Sequence, residues 1–235
     1  MLKIENISAG YLSETILRNF SLSVKKGEIV GIFGPNGAGK TTLLCSVNGL
    51  ARVTKGSVRV DGVQFSRRAA SAIRKKIGYA PQHFEIDPRT PASARDVVMM
   101  GVYGMKGILS PPGKEEKKHL EELAEPLEIT ALLNKPFGRL SGGEKQKTLI
   151  ARALIQKPEI LLLDEIFAWI DSSTQKHILG LLKRLHREKN LTTMLVSHNP
   201  GAVRSILTRI VYLEKSKIVF DGKPEECGLP LCCRN

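Results

Sequence analysis

The sequence contains no apolar run approaching the roughly 20 residues that a bilayer-spanning helix requires. Its uninterrupted apolar stretches are short, such as Ile160–Leu163. The opening segment, MLKIENIS, lacks the apolar region of a secretory signal. The expectation is a chain on the cytoplasmic side that docks on a membrane protein without entering the bilayer. Cysteine is scarce: Cys45, Cys227, Cys232 and Cys233 show no zinc spacing, and the last three fall within nine residues of the end, where a loose reduced tail is expected. Aromatic residues make up 5%, with a single tryptophan. The basic residues are dispersed (Arg67/Arg68, Arg74–Lys76, Lys117/Lys118, Arg184/Arg187) with no aromatic platform beside them, which argues against nucleic acid as the partner. Internal repeats and low-complexity segments are missing as well.

What is present is a chain of 235 residues, 42% hydrophobic. That suffices for one large domain or a domain with a subdomain. Thirty-six basic residues against 23 acidic ones give a net charge of +13, which suits an anionic partner, whether a nucleotide, an anionic membrane surface or nucleic acid, and composition alone does not choose among them. The first third reads as strands, in MLKIENISAGY, SLSVKKGEIVGIF and GSVRVDGVQF. Residues 83–158 change character. SARDVVMMGVYG reads as a helix capped by Ser93 with Asp96 in its first turn. SPPG at 110–113 is a break, and KEEKKHLEELAEPLEI is a charged helix ending near Pro126. Strand signals return with EILLLDE, LTTMLVSH and RIVYLEKSKIVFDG. Between them, residues 172–190 place Ile178, Leu182 and Leu185 on one helical stripe. Strands alternating with helices predict a parallel sheet with crossover helices.

GPNGAGKTT carries the chemistry. Gly34, Pro35, Asn36, Gly37, Ala38, Gly39, Lys40, Thr41 and Thr42 fit a phosphate-binding loop that follows a strand and opens a helix. Glycines let the backbone N–H groups close around phosphate, and the helix start adds its positive dipole end. Lys40 supplies charge to the β- and γ-phosphates, and the Thr41 hydroxyl suits Mg²⁺. Asp164, ending a buried strand, is the expected second Mg²⁺ holder, and Glu165 the general base; an acidic pair capping a strand is the plainer alternative. His198 also ends a strand, where it would meet the γ-phosphate or serve a structural role. Gln82 stands between the strands and the helical segment and would contact Mg²⁺ or water, or else be a surface glutamine.

LSGGEKQ raises a separate question. Ser141 and Glu144 form a capping-box pattern. Gly142 and Gly143 are poor helix formers, but bare glycines in a first turn leave N–H groups open to an anion. Lys145 and Lys147 add charge. One nucleotide fills the first loop, so this second site is expected to grip the γ-phosphate of a nucleotide held by another chain.

With these pieces in order (Tyr11 in "GY", GPNGAGKTT, APQ, LSGGE, LLLDE, WID, SH), the chain resembles the ATP-binding subunit of an ABC transporter over nearly its whole length. The resemblance implies a P-loop NTPase (RecA-like) α/β core with a mainly parallel sheet, an N-terminal antiparallel β subdomain and an inserted helical subdomain. Residues 1–82 and 159–235 would form the core and 83–158 the insert. It implies ATP hydrolysis with Mg²⁺, a head-to-tail ATP-dependent dimer, and transmembrane permease subunits at the cytoplasmic face of the cell membrane. It also implies that Tyr11 stacks on adenine, unless it is a packed turn residue, and that Asp171 crosses the dimer interface, unless it caps the next helix. PASARDVVMMGVYG followed by KGIL, and DEIFAWID, resemble ATPases of zinc and manganese importers, which work with an extracytoplasmic metal-binding receptor. Iron-chelate importers share part of this pattern. Ile166 in place of proline, bulky Trp169 and Glu144 in place of glutamine depart from it. A soluble ABC-type ATPase acting on nucleic acid or ribosomes is the rival reading.

Overall fold

The structure is a computed structural model that describes residues 1–12, 14–84, 86–87, 89–106, 110–197 and 200–228, with the backbone alone for 105 and 106. Alternation of buried and exposed residues in the first third builds an antiparallel sheet. Its strands are β1 (Leu2–Tyr11), β2 (Glu14–Val24), β4 (Arg52–Val60) and β5 (Val63–Gln64), in the order β2-β1-β4-β5. The second sheet is built from β3 (Ile29–Phe33), β6 (Ile77–Ala80), β7 (Ile160–Asp164), β8 (Thr192–Val196), β9 (Arg209–Glu214) and β10 (Lys217–Gly222). Its order is β10-β9-β3-β8-β7-β6. β9, β3, β8, β7 and β6 run parallel, and β10 returns antiparallel on β9.

The continuous apolar run at 160–163 reflects burial on both faces of this sheet. Ile160 and Leu162 face one core with Val30, Ile32, Met194 and Val196. Leu161 and Leu163 face the other with Ile29, Phe33 and Leu195. The first core is closed by the antiparallel sheet and by α1 (Lys40–Asn48), with α2 (Ala70–Lys75) at its edge. The second is closed by α3 (Ala94–Lys106), α4 (Lys114–Ala124), α5 (Gly142–Leu154) and α6 (Ser172–Lys189), with the short α7 (Pro200–Val203) beside them. This is the expected α/β class, an antiparallel β layer on a mainly parallel sheet with a helical run between β6 and β7.

Local signals account for the helix ends. Ser93 caps α3, its Oγ accepting from the Asp96 N–H at 3.2 Å while Asp96 Oδ2 accepts from the Ser93 N–H at 2.8 Å. On α6, Ile178 and Leu182 are buried and Leu185 packs beside them. α5 lies close along β6. A Cβ on Gly78 would stand 2.3 Å from the Ala153 carbonyl oxygen, so the helix approaches the strand as near as glycine permits. Gln156 Nε2 donates to the Ile77 carbonyl at 2.5 Å and Arg152 Nη2 to the Tyr79 carbonyl at 3.4 Å. Glu128, at φ 54°, ties its turn to α5 and α6. Its carboxylate accepts from Thr174 Oγ1 at 2.8 Å, lies 2.7 Å from His177 Nδ1, and meets Lys147 Nζ at 3.5 Å. The Thr174 and His177 contacts hold the Glu128 carboxyl below the usual carboxylate range. Cys227, expected in a loose reduced tail, is instead buried and disulfide-bonded; Cys232 and Cys233 lie outside the described residues.

The parallel register places the ends of β3, β7 and β8 level. Ile32 pairs with Val196, and Val196 with Asp164. The loop from Gly34, the Asp164–Glu165 pair and Ser197 therefore leave the sheet at one edge, where ligands of open α/β sheets sit.

Candidate nucleotide site

α1 begins at Lys40 behind a left-handed Gly39, φ 96°, with no side chain capping its first turn and no acidic residue in it. Its free N–H groups are left to whatever enters the loop. Asn36, Gly37, Gly39, Lys40, Thr41 and Thr42 line a cleft of about 360 Å³, closed by Ile16, Gln82 and Glu165. Gly34 and Pro35 stand behind it. Their carbonyls accept from Lys40 Nζ at 2.8 and 2.9 Å. Ala38 is buried below the loop. Lys40 itself is 5% exposed, and burial pulls its pKa down against the opposing pull of the Glu165 and Asp164 charges.

Asp164 Oδ1 accepts from Thr41 Oγ1 at 3.2 Å, and the Tyr79 hydroxyl stands 3.5 Å from Oδ2. The carboxyl is 1% exposed, and burial pushes its pKa up to about 6. The Thr41 hydrogen bond opposes that shift and the neighbouring Glu165 charge adds to it. The oxygens touching it belong to neutral hydroxyls. A buried carboxylate and a threonine hydroxyl side by side form a hard-oxygen pair fit for Mg²⁺. Glu165 sits at φ 50°, its N–H donating to the Val196 carbonyl at 3.0 Å. This left-handed turn aims its carboxylate into the cleft, where Oε2 accepts from Gln82 Nε2 at 2.7 Å. Tyr11 does not line the cleft. Its hydroxyl lies against Cys45 and Thr42 of α1, and burial raises its pKa. His198 lies outside the described residues.

Ser141, Gly142, Gly143 and Glu144 line a different cavity, about 370 Å³, together with Lys147, Trp169, Ile170 and Asp171. The expected capping box is formed: Ser141 Oγ accepts from the Glu144 N–H at 3.3 Å, and Glu144 Oε2 from the Ser141 N–H at 2.8 Å. That backbone bond, first among the causes, holds the Glu144 carboxyl below the usual range. Asp171 caps α6, accepting from the Ser173 and Thr174 N–H groups at 3.1 and 2.9 Å. One expectation needs correction. Gly143 has a reason within its own chain, because a Cβ there would lie 2.6 Å from the Trp169 carbonyl oxygen. Gly142 has no such neighbour inside 3.6 Å. Trp169, 71% exposed, covers this glycine turn.

Ile16, Tyr79, Gln146 and Glu128 are site or site-supporting residues without a sequence signal of their own. Gln146 is 5% exposed, and its Nε2 donates to the Gln82 carbonyl at 2.8 Å. Its place in LSGGEKQ, one turn along an amphipathic helix, reads equally as a solvated glutamine.

A family model described as ABC transporter matches residues 17–168. The manganese transport system ATP-binding protein MntB of Listeria innocua is 37% identical over 225 residues, 96% of this chain and 91% of that protein. The zinc transport system ATP-binding protein TroB of Treponema pallidum is 34% identical over 220 residues, 94% of this chain and 80% of that one. Among solved structures, the dimeric post-hydrolysis ATP-binding cassette MJ0796 bound to ADP and phosphate superimposes with a TM-score of 0.83 at 31% identity, over 95% of this chain and 98% of that one.

Two outcomes follow from this geometry. Asp164 holds its proton to higher pH in the folded chain than its ordinary 3.8. Stability is therefore lost as pH rises from about 4 to about 6, and the cost is complete above that. Asp164→Asn is expected to stabilise the metal-free, nucleotide-free chain by roughly 2–3 kcal/mol at pH 8 and by little at pH 4, while hydrolysis is lost; thermal unfolding with chelator at the two pH values measures this. Gly143→Ala is expected to destabilise the isolated chain by about 1–3 kcal/mol, whereas Gly142→Ala holds or raises its stability. Urea unfolding of the two variants checks the asymmetry.

Proposed function

This chain belongs to the ABC transporter family of ATP-binding proteins, and on that premise we propose that it hydrolyses ATP to drive uptake of a divalent metal ion, manganese or zinc. The metal assignment is supported by the manganese and zinc transport ATPases it is similar to over nearly its full length. The transported ion is cargo; its selection belongs to permease subunits and an extracytoplasmic receptor. The chain itself works at the cytoplasmic face of the membrane, bound to the permease.

In the proposed mechanism the loop N–H groups and the Lys40 ammonium bind the β- and γ-phosphates, and Tyr11 stacks on adenine. Thr41 and Asp164 would hold Mg²⁺, which when bound would neutralise phosphate charge. Glu165 takes the proton of the water that attacks the γ-phosphorus, as the bond to the ADP oxygen breaks. Gln82 orients that carboxylate, and His198 contacts the γ-phosphate. The observation that supports a two-chain site is the separation of the phosphate cleft from the cavity of Ser141–Glu144 within one chain. Gly142, Gly143 and Lys147 would close on the nucleotide held by a second copy, with Asp171 crossing beside them.

Glu165→Gln is expected to bind Mg²⁺–ATP, lose hydrolysis at least 100-fold and sediment as a dimer with the permease or at high concentration. A variant that stays monomeric under both conditions would sink the shared site. Lys40→Ala in cells is expected to abolish uptake of radioactive manganese or zinc; uptake of an iron chelate lost in its place would transfer the assignment to that cargo.

A further inference from the structure

We infer that Gln146 is a positioning residue, through which the start of α5 sets the reach of Gln82 to Glu165. The path is continuous. Gln146 Nε2 donates to the Gln82 carbonyl at 2.8 Å, and the Gln82 side chain donates to Glu165 Oε2 at 2.7 Å. The strand backbone before Gln82 is tied to the same helix and to the turn that follows it. Arg152 bonds the Tyr79 carbonyl and lies 4.3 Å from the centre of the Phe84 ring, and Gln156 bonds the Ile77 carbonyl. α5 and the turn after it thus hold strand β6 at Ile77 and Tyr79 and the Phe84 ring beyond it, and Gln146 is the attachment at the catalytic end.

Fold stability does not account for this side chain. Gln146 is buried, yet its Oε1 has no hydrogen-bond partner among the described residues. An unpartnered buried oxygen is costly, and an apolar residue of the same length avoids that cost. Reversing the amide is no remedy, because it would set Oε1 against the Gln82 carbonyl, oxygen to oxygen. What glutamine supplies, and methionine does not, is the N–H aimed at Gln82.

Gln146 lies one turn beyond Gly142 and Gly143 on the same helix. A γ-phosphate arriving at those glycines from a second chain, a consequence that rests on the shared-site proposal, would press on α5 and reach Glu165 of this chain through Gln146 and Gln82. Each catalytic carboxylate would then answer to the nucleotide of the opposite site.

Gln146→Met keeps the length and the apolar stem and removes the donor. The full chain carrying it is expected to show a Tm no lower than that of the parent, a KM for ATP within twofold, and a kcat about tenfold lower. Added to Gln82→Ala it is expected to cost less than a further twofold, since it acts through a residue already removed. Gln146→Asn, one methylene shorter, withdraws the same donor and is expected to give the same non-additivity. Unchanged kcat in both variants, losses that add to that of Gln82→Ala, or a kcat loss matched by a fall in Tm would overturn the inference. Monomeric Glu165→Gln would remove the inter-site consequence alone, because the Gln82–Gln146 cycle is read within one chain.

Discussion

A buried carboxylate beside a phosphate loop is the constraint around which the rest of the structure is arranged. Asp164 is almost fully removed from water, and its visible partners are two neutral hydroxyls. In a low-dielectric setting that charge is costly by itself. Under the proposed mechanism a cation held there would offset that cost, exchanging stability for affinity at this position. Placing it requires the parallel sheet: Thr41 and Asp164 are 123 residues apart, and the level ends of β3 and β7 bring them within hydrogen-bonding distance.

α5 is the second organising element, and it faces two ways. Its first turn, capped by Ser141 and Glu144, opens toward a cavity shared with Trp169 and Asp171. Its flank is fastened to β6 and to the backbone of Gln82, and Gln156 just past its end adds a bond to Ile77. Glu128 adds a further tie, from Lys147 of the same helix to Thr174 and His177 just past the Asp171 cap. The Ser141–Glu144 turn and the glutamine that meets the chain's own Glu165 carboxylate are therefore joined through one packed helix. The network combines side chains donating to backbone carbonyls with side-chain contacts at Glu128, and such satisfied polar networks rigidify the packing around them.

Glycine usage in this chain has two different causes, and the sequence does not tell them apart. Gly37 is set in open space on the cleft wall. Gly143, which reads from LSGGE as a bare donor for a foreign phosphate, is also where the backbone of Trp169 comes too close for a side chain. The same residue type at the next position, Gly142, has no such neighbour. The proposed anion site and the packing constraint share one turn of helix.

The parts legible in the amino-acid order are those whose physics is local. The phosphate loop is contiguous because a cradle of successive N–H groups has to be; the Ser93 and Ser141 caps work across three residues; the two-sided burial of β7 shows as an unbroken apolar run. Those features, with the order of the motifs, determined the family and the α/β class. The tertiary structure decided everything that depends on a neighbour from a distant part of the chain. It set the burial of Asp164 and the Tyr79 hydroxyl beside it, the turn of Glu165 toward Gln82, the placing of Tyr11 against α1, and the bond from Gln146 to the Gln82 carbonyl. Sequence patterns record which face of an element is apolar; they do not record which carbonyl of another strand a buried donor will meet, because that is fixed only when the helix has packed.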